Sequence, residues 1–152
     1  MKNHEATCSC GKAGVTVLAA QSARFRCHCT ICQTVYADNF SDVLVFRRGQ
    51  LKLIDETQVN WTRTKKVTPL TRALCVHCDA PVMAHFYGLL AFMPKRALAD
   101  ELAPDVSMDI YYDTRVKELL DDVPKSSGLI GAYAGLSLPF LKVLFRPSRP
   151  LH

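Results

Sequence analysis

The sequence predicts a mainly β fold with short helices toward its C-terminal end. Two observations point there. Most of the first ninety-odd residues fall into short runs rich in β-branched and aromatic residues, broken by turn residues. Helical spacing of apolar residues appears only after that stretch. A third observation concerns chemistry: the seven cysteines stand in three tight groups, and none stands alone.

Taken in order, "VTVLA" (15–19), "DVLVFRR" (42–48), "LKLI" (51–54), "VNWTRT" (59–64) and "TRALCV" (71–76) are expected strands. Gly49 and Gln50 read as the turn of a hairpin between the second and third of these. "APVMAHFYGLLAFMP" (80–94) reads as a further strand pair bent at Gly88. "PKRALADEL" (94–102) is expected to form a short helix, with Pro94 at its first turn. "DTRVKELLDDV" (113–123) places Val116, Leu119, Leu120 and Val123 at helical spacing, capped by Asp113 or Thr114.

The natural boundary is "PKSSG" (124–128), so residues 1–125 are expected to form one domain and 126–152 an apolar tail. The longest uncharged run of the tail, Ser126 to Leu141, is shorter than the ~20 apolar residues of a spanning helix, and Pro139 and Lys142 interrupt it. The tail is therefore expected to pack on the domain or to lie in an oligomer interface such as a homodimer. An interfacial membrane segment is the alternative. No transmembrane segment is expected.

An apolar fraction of 49% and a charged fraction of 22% exclude a mainly disordered chain. The formal charge of +5 suggests nucleic acid at first sight, but seven thiolates around two divalent zinc ions bring it down to +2. Lysines and arginines are scattered, without the dense basic stripe of a nucleic-acid binder, so no nucleic-acid partner is expected. "MKNHEATCSC" has no apolar run of the secretory kind, and the expected compartment is the cytoplasm. There, closely spaced cysteines read as metal ligands or redox thiols rather than disulfides.

The cysteine groups are "CSC" (Cys8, Cys10), "CHCTIC" (Cys27, Cys29, Cys32) and "CVHC" (Cys75, Cys78). Each two-cysteine group can supply two adjacent corners of a tetrahedral zinc site, so Cys8, Cys10, Cys75 and Cys78 together make a closed structural centre. Cys27, Cys29 and Cys32 are left as a three-thiolate centre with an open position, as in catalytic zinc sites. Such a soft, weakly acidic metal suits an incoming thiol better than it suits splitting an amide.

With "CSCG", "CHCTIC" and "CVHC" at these separations, residues 7 to 112 resemble the glutathione-dependent formaldehyde-activating enzyme family, which includes centromere-protein-V-like domains. The resemblance implies a mostly antiparallel Mss4-like β fold with two zinc sites. It also implies a carbon–sulfur lyase-type activity, condensing glutathione with formaldehyde to S-(hydroxymethyl)glutathione. By the same resemblance Cys8, Cys10, Cys75 and Cys78 hold the structural zinc, and Cys27, Cys29 and Cys32 hold the catalytic one. One departure is visible: the family usually has glycine after its last cysteine, where this chain has Asp79.

Other residues are weighed on their own chemistry. Arg24 and Arg26 flank the open centre and are candidates for gripping the carboxylates of a thiol substrate such as glutathione. Arg63, Lys65 and Lys66 read as a solvated surface group. His28 is expected to be an ordinary, partly exposed histidine pointing away from the metal, with a hydrogen bond behind the ligands as the alternative. His77 is expected to face solvent, His85 to be a strand histidine, and Trp61 and Tyr36 to be core or pocket wall. Besides the enzyme, a non-enzymatic zinc module for a protein or nucleic acid is the competing reading. A thioredoxin-like role for "CVHC" lacks its βαβ surroundings.

Overall fold

Two adjacent strands in the middle of the chain, Ser41–Arg47 and Leu90–Pro94, carry continuous apolar runs with no polar alternation. A strand of that kind is covered on both faces, and these two form the centre of a seven-stranded sheet. The structure, a computed structural model, describes residues 3–20, 23–66 and 68–147. In chain order the strands are β1 (His4–Thr7), β2 (Gly14–Val17), β3 (Ala23–Cys27), β4 (Ser41–Arg47), β5 (Leu51–Leu53), β6 (Val59–Thr62), β7 (Leu70–Cys75), β8 (Pro81–Phe86), β9 (Leu90–Pro94) and β10 (Met108–Ile110). The helices are α1 (Thr30–Tyr36) and α2 (Gly128–Phe145).

The large sheet runs β10-β3-β4-β9-β8-β7-β6, and β1-β2-β5 form a separate three-stranded sheet. The pairing is antiparallel except between β10 and β3, which run parallel. The fold is therefore mostly β with mixed sheets and a C-terminal helix. On one face of the large sheet Leu44, Phe46, Ala91 and Met93 pack against Val15, Val17 and Leu51 of the small sheet. On the other face Phe25, Val43, Val45 and Phe92 pack with Cys27, Cys32 and the α2 residues Ala132, Leu136 and Val143. Each such buried aliphatic or aromatic side chain contributes about 1.5–3 kcal/mol.

Three expectations are corrected. The turn at Gly49 forms, with Gln50 N–H donating to the Arg47 carbonyl at 3.0 Å, but β4 and β5 do not pair as a hairpin. The chain crosses there between sheets, because β5 pairs with β2 instead. The segment 94–102 is not one helix but two single 3₁₀ turns, Lys95–Ala97 and Asp100–Leu102. The segment 113–123 also fails as a helix. After a 3₁₀ turn at Tyr112–Thr114 it runs irregularly, with Val116 and Leu120 exposed rather than buried. Helical spacing without a surface to bury against does not hold a helix.

The tail forms α2, its inner side docked by Phe140 edge-on to Phe25 at 5.9 Å and to Phe86 at 5.7 Å. Gly135 lets the helix approach β10 closely, since a Cβ there would run into the Met108 side chain. Tyr87 (φ 51) and Gly88 (φ 66), with Leu89 N–H donating to the Phe86 carbonyl at 3.1 Å, make the type I′ turn between β8 and β9.

Candidate metal centres

Two loops and two strand ends bring Cys8, Cys10, Cys75 and Cys78 together. Cys8 leaves β1 into a tight loop closed by Cys8 N–H to the Ala13 carbonyl and Gly11 N–H to the Cys8 carbonyl, both 2.9 Å. Cys75 ends β7, and Cys78 sits in the turn to β8, where Asp79 N–H donates to the Cys75 carbonyl at 3.0 Å. His77 N–H also points at the Cys75 sulfur, 3.4 Å away. The four Sγ atoms all lie within 4.8 Å of one another, with Cys8–Cys10 at 3.4 Å and Cys10–Cys75 at 3.7 Å. Four thiolates bound tetrahedrally at a zinc–sulfur distance of about 2.3 Å stand about 3.8 Å apart, so the donor set fits such an ion.

The second group is built at the end of β3. Cys27 is the last residue of that strand, Cys29 is the N-cap of α1, and Cys32 lies inside the helix. Their sulfurs also lie within 4.8 Å of one another, and Cys27 and Cys32 are buried. The Cys29 sulfur accepts from Cys32 N–H at 3.4 Å. Both groups can hold a metal ion.

Electrostatics argue for a cation at each. Burial raises the Cys8 thiol, but the Ala13 backbone hydrogen bond and the neighbouring cysteines outweigh it and lower Cys8 to about 6. At Cys10 the Lys12 backbone hydrogen bond lowers the thiol, yet Cys8, burial and the other cysteines push it up to about 12. At the second centre hydrogen bonds from Cys27 and Cys29 hold Cys32 down to about 2, with the Arg72 charge assisting. Its neighbours respond in the opposite sense, Cys27 being driven well up by Cys29, by Cys32 and by burial. Thiols this close cannot all ionise on their own; a divalent ion removes the conflict.

Arg24 and Arg26 flank the second centre in sequence but point to the other side of β3 from Cys27. Alternation along β3 puts Ala23, Phe25 and Cys27 on the buried face and the two arginines on the other. Both guanidiniums already grip carboxylates of this chain: Arg24 holds Asp42 at 2.8 and 2.7 Å, and Arg26 holds Asp109 at 2.7 Å through two nitrogens. The expectation for His28 is corrected. It is completely buried, with Nε2 2.9 Å from Asp109 Oδ1 and its ring against Phe40 and Tyr112. Asp109, buried at the β10 edge, is what draws it inward. His77 is exposed and bonded to Gln58 at 2.8 Å, and His85 stacks on a 42%-exposed Trp61.

The cation that does reach the three-cysteine centre is Arg72. It is buried, with Nη2 3.8 Å from Cys32 Sγ and Nη1 3.4 Å from Thr64 Oγ1. Tyr111 and Tyr36 pack against the same core cluster. Burial first, then the charge of the three cysteines, keeps the Tyr111 phenol above its usual range and therefore neutral. Nothing in the strand pattern marked Arg72; only the register of β7 against β8, Arg72 opposite Ala84, puts it on this face.

A family model described as glutathione-dependent formaldehyde-activating enzyme matches residues 3–113. The chain belongs to that family. The match spans both cysteine groups and ends where the irregular segment before α2 begins. No curated protein matches the sequence. Among solved structures, a crystal structure of a Rhodobacter sphaeroides protein is similar in fold. It superposes with a TM-score of 0.55 at 15% identity, covering 81% of this chain and 100% of that one.

Proposed function

We propose that this family member adds glutathione to formaldehyde at the three-cysteine centre, giving S-(hydroxymethyl)glutathione. The observation that carries this reading is that Cys27, Cys29 and Cys32 converge within 4.8 Å with no fourth sulfur, histidine or carboxylate beside them among the described residues. Three protein ligands leave a position for a substrate atom, whereas the four-cysteine group is complete. A zinc ion bound there supplies a binding place for sulfur and lowers the proton affinity of an incoming thiol.

The reaction balances without a further reagent. The glutathione sulfur bonds to the formaldehyde carbon, the carbonyl π bond opens onto oxygen, and the proton lost by the thiol ends on that oxygen. This chain's residues have assignable parts. Arg72, beside Cys32, would offset the negative charge of the three thiolates that would hold the ion. Tyr111, a neutral phenol, is available to donate a hydrogen bond to the developing oxyanion. Arg24 and Arg26, saturated by Asp42 and Asp109, hold β3 in place rather than the substrate. Cys8, Cys10, Cys75 and Cys78 would hold a structural zinc that ties β1 to β7.

The test is the rate of S-(hydroxymethyl)glutathione formation, followed by exchange NMR with the purified, zinc-loaded chain. Acceleration that vanishes in Cys29→Ser and falls in Tyr111→Phe supports the reading. A zinc-loaded chain that neither accelerates the exchange nor binds glutathione sinks it, leaving a zinc-bearing binding module.

A further inference from the structure

Gly88, in the turn between β8 and β9, has a use beyond the turn itself. A Cβ there would meet Arg48 Nη1 at 3.4 Å, so the Arg48 guanidinium lies against the turn. From that position its charge reaches His85: burial first, then Arg48, push the imidazole below its ordinary range. His85 is in turn braced by Trp61, with the ring centroids 4.8 Å apart and the planes 30° from parallel.

Arg48 and His85 line a groove of about 480 Å³ with Arg63, Lys66 and Thr71. Three cations line it and no carboxylate does. None of the three has an ion-pair partner among the described residues. Arg24 and Arg26 show the contrast, since each has a carboxylate of this chain in its grip. Arg63 and Lys66 are exposed, as a solvated group would be, yet with Arg48 they converge on one hollow from two separate segments. Thr71 and His85 pair across β7 and β8 and face the side of the large sheet away from Arg72. The groove is therefore separate from the three-cysteine centre and from α2.

We propose that this groove binds a small phosphate-bearing anion, with the phosphate held between Arg48, Arg63 and Lys66. Charge selects the class. Three cations in one hollow match the roughly −2 charge of a phosphate monoester better than the single charge of a carboxylate. Arginine also takes phosphate oxygens through two nitrogens at once. His85 becomes a further donor as the ligand enters, because an anion beside it favours the imidazolium. The volume falls within the range of small-molecule sites, about 300–1,000 Å³. The cations gather in one hollow rather than along a stripe, which argues against a nucleic-acid strand. Trp61, 42% exposed beside His85, offers a face on which a planar ring of the ligand can stack.

The test is an NMR titration of the full, zinc-loaded chain with inorganic phosphate, adenosine 5′-monophosphate and acetate, each at constant ionic strength. Both phosphate compounds should saturate at millimolar concentration or below and draw the His85 pKa upward, and acetate should do neither. Arg63→Gln with Lys66→Gln should weaken binding on the order of tenfold or more. Lys65→Gln, which removes a neighbouring charge that does not line the groove, should change it by about twofold at most. Adenosine monophosphate binding more tightly than phosphate, by a margin that Trp61→Leu removes, names a nucleotide as the source; equal affinities name the free ion. Four results would each overturn the proposal: no response to either phosphate compound, an equal response to acetate, binding untouched by the Arg63 and Lys66 pair, or an oligothymidylate binding about tenfold more tightly than the mononucleotide.

Discussion

Arg72 Nη2 lies 3.8 Å from Cys32 Sγ, which makes a buried guanidinium the counter-charge of the three-cysteine centre. A divalent ion held by three thiolates carries a net negative charge, and burial makes that charge hard to sustain alone. Arg72→Met is therefore expected to weaken metal binding there about 10–100-fold, the usual range for a partner behind metal ligands. The four-cysteine centre should keep its affinity, and Arg72→Lys should recover part of the loss. Chelator competition that counts metal released per chain reads this directly. An unchanged second equivalent in Arg72→Met would break the link.

The two centres should fail differently. Cys8 and Cys75 join the small sheet to the large one, so metal binding at their centre is also folding free energy. Against a total stability of about 5–15 kcal/mol, losing one of four thiolates there is enough to unfold the chain, so Cys8→Ser and Cys75→Ser should be insoluble or lack a cooperative transition. Cys29 sits at the N-cap of a helix on an already formed strand end. Cys29→Ser should melt cooperatively with one metal fewer. Equal behaviour of the Cys8 and Cys29 variants in a melting and metal-content assay would mean the proposed roles are wrong.

The strands and the grouping of the cysteines into four and three were legible because they depend on local spacing. What escaped the sequence depends on register and on sheets meeting. Gly49 correctly marks a turn, but nothing local says that β5 leaves β4 for β2. Arg24 and Arg26 stand one residue either side of Phe25, and their charge is conspicuous. Their partners Asp42 and Asp109 come from β4 and β10, a pairing that only the assembled sheet reveals. Asp109 likewise buries His28, which in the sequence is a polar residue between two ligands. Val116 to Val123 has helical spacing, yet no surface opposes it.

His85 gives a pH signature. Burial first, then the Arg48 charge, push it below the ordinary 6.5. Just below pH 6.5 the unfolded chain therefore holds a proton here that the folded chain refuses. Stability is full above that pH and declines as pH falls through the folded value. His85→Gln removes the term, so wild type and variant should differ by a constant amount at and above about pH 8, and the variant should gain relative to wild type by about pH 5.5. Thermal unfolding at both values tests the sign. A relative gain for wild type on acidification would show that His85 is stabilised as the cation instead.

Asp79 closes the second cysteine knuckle with φ at +57°, a left-handed conformation that glycine adopts freely and that aspartate tolerates better than most residues. Its N–H reaches back to the Cys75 carbonyl, so the bend sets where the Cys75 and Cys78 sulfurs point. The family's usual glycine at this position thus has a backbone reason, and the aspartate here works against a mild strain. Asp79→Gly should leave the fold intact and raise stability by up to about 1 kcal/mol, while Asp79→Val should lower it by about 1–2 kcal/mol. Because the strain sits in the knuckle, the valine variant should also surrender metal from the four-cysteine centre to a chelator faster than wild type, with the three-cysteine centre unaffected. Urea unfolding together with chelator kinetics decides it: a valine variant equal to wild type in both would mean that the bend is held by the metal and not by the residue.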